Sequence, residues 1–202
     1  MHNKIKKGRP KTFNKEQANK IAMDTYWEEG LENVSLNAIC RKIGESKPSV
    51  YREYGGEQGL QFAAFKLYYK KRVEPIGQIL LGPEGFVKNL DSAFKCLINS
   101  HFKDNKNYSC MYNKESLYPS KNLSVECKNF IKKKDKEIVG FLKEAILKAI
   151  DKEEINKDVN IEIYSEYIFN QIKLIAALSN KKQPKSILSG MVDLIMVPLR
   201  NN

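Results

Sequence analysis

Apolar side chains in this chain return at every third or fourth position, and no stretch of strand length alternates apolar with polar residues. A chain patterned this way can bury its apolar stripes only as helices packed on one another, so the expected fold class is all-α with about nine helices. The first is expected from Asn14, with Gln17 three residues on, to Glu29, closed by Gly30 and burying Ala18, Ile21, Ala22, Thr25 and Tyr26. Ser35 opens a second helix that Gly44 stops, and Ser46 opens a third, with Pro48 in its first turn, running to about Glu53. A long helix over 57–74 is expected to end or kink at Pro75 and Gly77, and another covers 84–102. A short one ends near Leu117, a long one spans 122–150, one runs from Asp158 or Asn160 to Asn180, and the last lies between Pro184 and Pro198.

The sequence has 202 residues, 42% of them hydrophobic and 29% charged, which fits a folded chain with a substantial core and excludes wholesale disorder. Its net charge of +11 points to a polyanionic partner. The first third is the more basic: residues 1–72 hold 15 basic and 8 acidic side chains, against 20 and 16 over 73–202. No apolar run is long enough to cross a bilayer and no apolar stretch follows the basic start, so neither a membrane partner nor a secretory leader is expected. Cys40, Cys96, Cys110 and Cys127 stand singly, which suggests a reducing, cytoplasmic compartment and neither a disulfide framework nor a zinc site.

An enzyme is not expected. The two histidines are His2 and His101, no Ser-His-Asp ordering or H-E-x-x-H is present, and neither glycine-rich phosphate motif occurs, so no cofactor or metal is implied. The informative segment is the pair of short helices joined by Gly44, Glu45 and Ser46. Neither can bury much alone, so they must cross one another and pack on the first helix, which is the logic of a helix-turn-helix. The second of the pair keeps Val50 as its main inward residue and presents Lys47, Pro48, Ser49, Tyr51, Arg52 and Tyr54. Lys and Arg neutralise phosphate, hydroxyls bond phosphate oxygens or bases, and free amides at a helix start attract an anion.

Gly8, Arg9, Pro10, Phe13, Ala18, Trp27, Gly30, Ser35, Leu36, Ile39, Gly44, Ser46 to Val50, Tyr51, Tyr54, Gly55, Gly59 and Leu60 together resemble the N-terminal domain of TetR-type (TetR/AcrR) transcriptional regulators. The resemblance covers about residues 8–65. It implies a basic tail over 1–12, a helix-turn-helix DNA-binding domain over 13–56 and a ligand-binding and dimerisation domain over 57–202. It further implies a homodimer, formed through the last two helices, that binds an operator and is released by a small-molecule inducer. Carried over by position, Ser35 would bond a phosphate. Lys47, Pro48, Ser49 and Tyr51 would lie in or beside the major groove, Arg52 and Tyr54 would brace the backbone, and Arg9 and Lys11 would reach the minor groove. Two positions depart from the family pattern: Gly56 and Glu57 stand where relatives usually have Ser-Lys, and Glu45 replaces the usual apolar turn residue.

Family analogy places Phe94, Leu97, His101, Met111, Tyr112, Tyr118, Phe130 and Phe141 around a ligand pocket, although helical domains need such residues simply to fill their cores. Cys110 lies in a stretch, Ser109 to Tyr112, similar to a Cys-containing one in a subgroup of these regulators, and reads either as a ligand-site sensor thiol or as an inert core thiol. Beyond the expected stripes, Tyr167, Phe169, Leu174 and Leu188 suggest a second buried face on the last two helices, as a four-helix subunit interface requires. The competing reading is a non-enzymatic basic helical interaction protein without preference among DNA sequences.

Overall fold

The computed structural model describes residues 13–103, 110–181 and 183–199, with the backbone alone over 101–103. Among these residues every regular element is helical: α1 Lys15–Glu29, α2 Leu36–Ile43, α3 Lys47–Tyr54, α4 Glu57–Tyr68, a π-helical turn Tyr69–Val73, α5 Glu74–Ile79, α6 Phe86–Lys103, α7 Met111–Leu117, α8 Val125–Asp151, α9 Ile161–Asn180, α10 Lys185–Met196 and a 3-10 turn Val197–Leu199. The caps are the expected ones. Asn14 Oδ1 accepts from the Gln17 amide at 3.0 Å, and the Ser35 and Ser46 hydroxyls accept from Ala38 and Ser49 at 3.3 Å each. Gly44 and Gly55 end α2 and α3 at φ +75° and +74°, where a side chain would strain the backbone.

Three expectations need correction. Pro75 and Gly77 do not stop the fourth helix: α4, the π turn and α5 form one continuous run, which makes nine rods among the described residues. The π turn places Pro75 in the first turn of α5, where its missing amide hydrogen costs nothing. On α1 the stripe buries Met23 rather than Ile21, which is only half-buried. The long eighth helix opens three residues later than expected, because Ser124 caps it by accepting from the Cys127 amide at 3.1 Å.

Two apolar cores result. One joins α1–α4 to α7 and the first turns of α8 through Tyr26, Ile39, Val50, Leu60, Phe65, Tyr112 and Cys127. The other fills the space among α6, the later part of α8, α9 and α10 with Leu90, Phe94, Leu142, Ile146, Ile168, Ile175 and Leu188. Apolar packing therefore crosses position 56 without a break. Polar bridges follow the same seam: buried Gln61 donates to the Asn122 carbonyl at 3.2 Å and accepts from the Ser124 amide at 2.7 Å. Glu32, between α1 and α2, accepts from Lys114 at 2.8 Å and from Ser120.

Candidate nucleic-acid interface and ligand cavity

α3 has eight residues, and only Val50 among them is buried. Lys47, Pro48, Tyr51 and Arg52 are exposed and Ser49 is half-buried, so the residues that could touch a duplex form one outward edge. Its base is held firmly. A Cβ on Gly59 would lie 1.8 Å from the Tyr54 carbonyl oxygen, so only glycine lets α4 run this close to the end of α3. Tyr54 is half-buried: its hydroxyl donates to Asn19 Oδ1 at 2.8 Å, its ring meets Phe13 edge-on at 5.9 Å, and Lys15 Nζ stands 5.2 Å above it. Burial pushes the Tyr54 hydroxyl up to about 12, with Glu53 adding to the effect. This residue ties α3 to α1 rather than standing in the outward edge.

Tyr51, 55% exposed, is steered from beneath. Its ring lies over Gly56, which adopts φ +127° and whose absent Cβ would sit 3.3 Å from Cε1. The departure at Gly56 thus gives the most exposed aromatic of α3 a flat seat. Glu57 opens α4, where a carboxylate suits the positive helix end. Ser35 is exposed and its oxygen caps α2.

A second feature is a cavity of about 470 Å³ beside the junction of the two cores. Phe94, Leu97, Phe141 and Ile172 contribute to its apolar wall, and Trp27 of α1, Tyr68, Tyr69 and Arg72 close the side facing the helix-turn-helix. The Arg72 guanidinium lies 4.5 Å above the Trp27 ring, and Trp27 meets Tyr68 edge-on at 5.5 Å. Cys110 also lines it. Burial raises that thiol above its ordinary range, against hydrogen bonds from its neighbours including Tyr68, so the thiolate is disfavoured. Among the described residues no group of three or more His, Cys, Asp or Glu could hold a metal ion, and no helix is long and apolar enough to cross a membrane.

No family model matches the chain. It is 34% identical to the HTH-type transcriptional repressor ComR of Escherichia coli over 65 residues, 32% of this chain and 31% of ComR, so that match spans under a third of the relative. It is 23% identical to the HTH-type transcriptional regulator YezE of Bacillus subtilis over 168 residues, 83% of this chain and 86% of YezE. Among solved structures, a cysteine variant of the TetR family transcriptional regulator CifR, in complex with 26-bp operator DNA, superposes with a TM-score of 0.81 at 18% identity, covering 95% of this chain and all of that one. Reduced NemR of Escherichia coli superposes at 0.79 with 11% identity, over 93% of this chain and 97% of its own. The chain has the TetR-family fold.

Within the TetR fold, the structure gathers Lys47, Pro48, Ser49, Tyr51 and Arg52 on one short helix, and turns the Tyr54 hydroxyl inward. Arg9, Lys11 and the side chain of His101 lie outside the described residues. Of the residues expected around a pocket, Phe94, Leu97, Cys110 and Phe141 line the cavity. Met111, Tyr112 and Phe130 do not: they pack in the core shared by α1–α4, α7 and α8, where Phe130 meets Phe62, Phe65 and Tyr69 edge-on. Tyr118 is 78% exposed and belongs to neither. Trp27 and Arg72 were not legible as cavity residues, because they meet only once α1 and the π turn are brought together across 45 positions of chain.

Proposed function

We propose that this chain is a transcriptional regulator that binds a DNA operator as a homodimer through α3 and is released when a small molecule enters the cavity. The observation that carries this reading is the outward edge of α3, a helix with one buried residue that spends the rest of its surface on Lys47, Pro48, Ser49, Tyr51 and Arg52. Lys47 and Arg52 supply charge for phosphates, and Ser49 and Tyr51 supply hydroxyls for phosphates or base edges. Ser35 keeps a hydroxyl proton for a phosphate, since its cap uses only the oxygen. Tyr54 serves this reading as a brace of α3, and Arg9 and Lys11 as the minor-groove extension.

The dimer is proposed through α9 and α10, which expose Ile163, Tyr167, Leu174, Ile187 and Leu194 while burying Phe169 and Leu188. Apolar side chains in this number on two adjacent helices fit an isologous interface. Such a pairing sets two copies of α3 about 34 Å apart, on successive major grooves. The proposed switch is differential: a ligand favours the arrangement in which that separation is wrong, acting on the α4 to α5 run that both packs on α1 and walls the cavity. The role proposed is non-enzymatic, in the cytoplasm.

Replacing both Lys47 and Tyr51 by Ala tests the reading. Operator-specific binding in a gel-shift assay is expected to disappear, each contact being worth about 1–3 kcal/mol, with sedimentation of the protein unchanged. An unchanged shift would instead favour a basic interaction protein indifferent to sequence.

A further inference from the structure

The charged groups of the cavity cancel in number and stand on its open side. Among the described lining residues they are Lys71 and Arg72 against Glu74 and Glu137, and all four are exposed. Two of them already have company: Arg72 lies 4.5 Å above the Trp27 ring, and Glu137 accepts from Lys134 at 2.7 Å with Lys133 at 3.9 Å. Asp135, beside those lysines on α8, is met by Lys173 at 3.0 Å. The buried part of the wall is Tyr68, Leu80, Leu90, Ala93, Phe94 and Leu97, with no charged side chain among them. An ion entering there gives up its hydration and meets no opposite charge, whereas an uncharged hydrocarbon body gains by leaving water.

The uncharged polar groups of the wall differ in what they have left to offer. The Tyr68 hydroxyl accepts from the Met111 amide at 3.1 Å, and the Ser100 hydroxyl donates to the Leu97 carbonyl at 2.8 Å, so both are engaged. Asn113 on α7 and Tyr69 on the π turn, both half-buried, also line the cavity, and no described residue hydrogen-bonds the carboxamide of the first or the hydroxyl of the second. A carboxamide both donates and accepts, which an alcohol oxygen answers in both senses.

We infer that the cavity takes an uncharged lipophilic molecule bearing a hydroxyl group, its body among Phe94, Leu97 and Phe141 and its hydroxyl hydrogen-bonded to Asn113. The inference rests on the ligand-released reading above and names the ligand class for that site. A volume of about 470 Å³ lies in the range that holds a small organic ligand.

Four probes that share one ring system and differ in one group test it: 2-naphthalenemethanol, 2-naphthoate, 2-naphthylmethylammonium and 2-methylnaphthalene. Each is dialysed to equilibrium against the full chain without DNA and followed by naphthyl absorbance. The alcohol is expected to bind saturably and at least tenfold more tightly than either ion. Asn113→Leu is expected to weaken the alcohol about fivefold while leaving 2-methylnaphthalene no weaker, because only the alcohol loses a partner. Either ion binding as tightly as the alcohol, alcohol affinity unchanged in Asn113→Leu, alcohol and hydrocarbon weakened there in parallel, or no saturable binding of any probe overturns the inference. If Asn113→Leu does not fold, Asn113→Ala is read in the same way, and the ranking of alcohol against ions on the native chain remains decisive. None of these outcomes bears on α3, whose role stands or falls with the Lys47 and Tyr51 gel-shift assay.

Discussion

Single residues set the geometry of the outward helix. Gly59 is required for packing, since any Cβ there would collide with the backbone at Tyr54 rather than with a movable side chain. Gly59→Ala is expected to lower stability by about 1–3 kcal/mol or more, read from urea denaturation, as α4 is forced away from α3. Sequence inspection finds such a glycine as a break in the pattern, yet its purpose becomes visible only when the two helices are seen crossing. Glu32 acts electrostatically. Hydrogen bonds from Lys114 and Ser120 hold its carboxyl down to about 2, from an ordinary value near 4.5. A depressed carboxyl stabilises the fold above its unfolded value and loses that contribution as pH falls toward the folded one. The native chain is therefore expected to be more stable than Glu32→Gln at pH 7 and to converge on it between about pH 4.5 and pH 2 in thermal melts. The difference will be modest, because the pair is partly open to solvent.

At the scale of elements, local signals were legible and long-range ones were not. Asn14, Ser35, Gly44 and Ser46 marked helix ends correctly because a cap is decided within four residues of chain. The π turn at Tyr69–Val73 escaped because Pro75 reads as a stop unless an added residue carries it into a fresh first turn. The ionic ties between helices escaped for another reason: Glu32 and Lys114 lie 82 positions apart, and Lys173 and Asp135 lie 38 apart. That second pair knits α7, α8 and α9. Asp135 accepts from Tyr112 at 2.6 Å, from Ser116 at 2.9 Å and from Lys173 at 3.0 Å, while the lysine also lies 4.1 Å above the Phe169 ring. Breaking one half leaves a poorly hydrated carboxylate without its cation. Lys173→Met is expected to cost about 3 kcal/mol in chemical denaturation, and Asp135→Asn added to it to recover part of the loss.

For the molecule as a whole, one structure holds an outward edge on α3, proposed to face DNA, and a cavity whose wall includes α1 and the run leading out of α4. The exposure of that edge was legible from residues 35–54, since a helix with a single inward position has to be displayed. The second was half legible. Aromatic residues on α6 and α8 suggested a pocket, but the same residue types also fill the neighbouring core, and only packing separates Phe94 and Phe141 from Tyr112 and Phe130. The proposed pairing of α9 and α10 between subunits would give the two features a common frame, because copies of α3 on separate subunits cannot be spaced without it. The most direct test is selection of bound fragments from genomic DNA by the native chain, followed by nuclease protection on the selected fragments. Two protected half-sites centred about 10 bp apart or a multiple of that, erased by Lys47→Ala with Tyr51→Ala, are predicted. Uniform protection without preferred fragments, or a footprint that the double variant reproduces, would contradict the claim that α3 reads DNA.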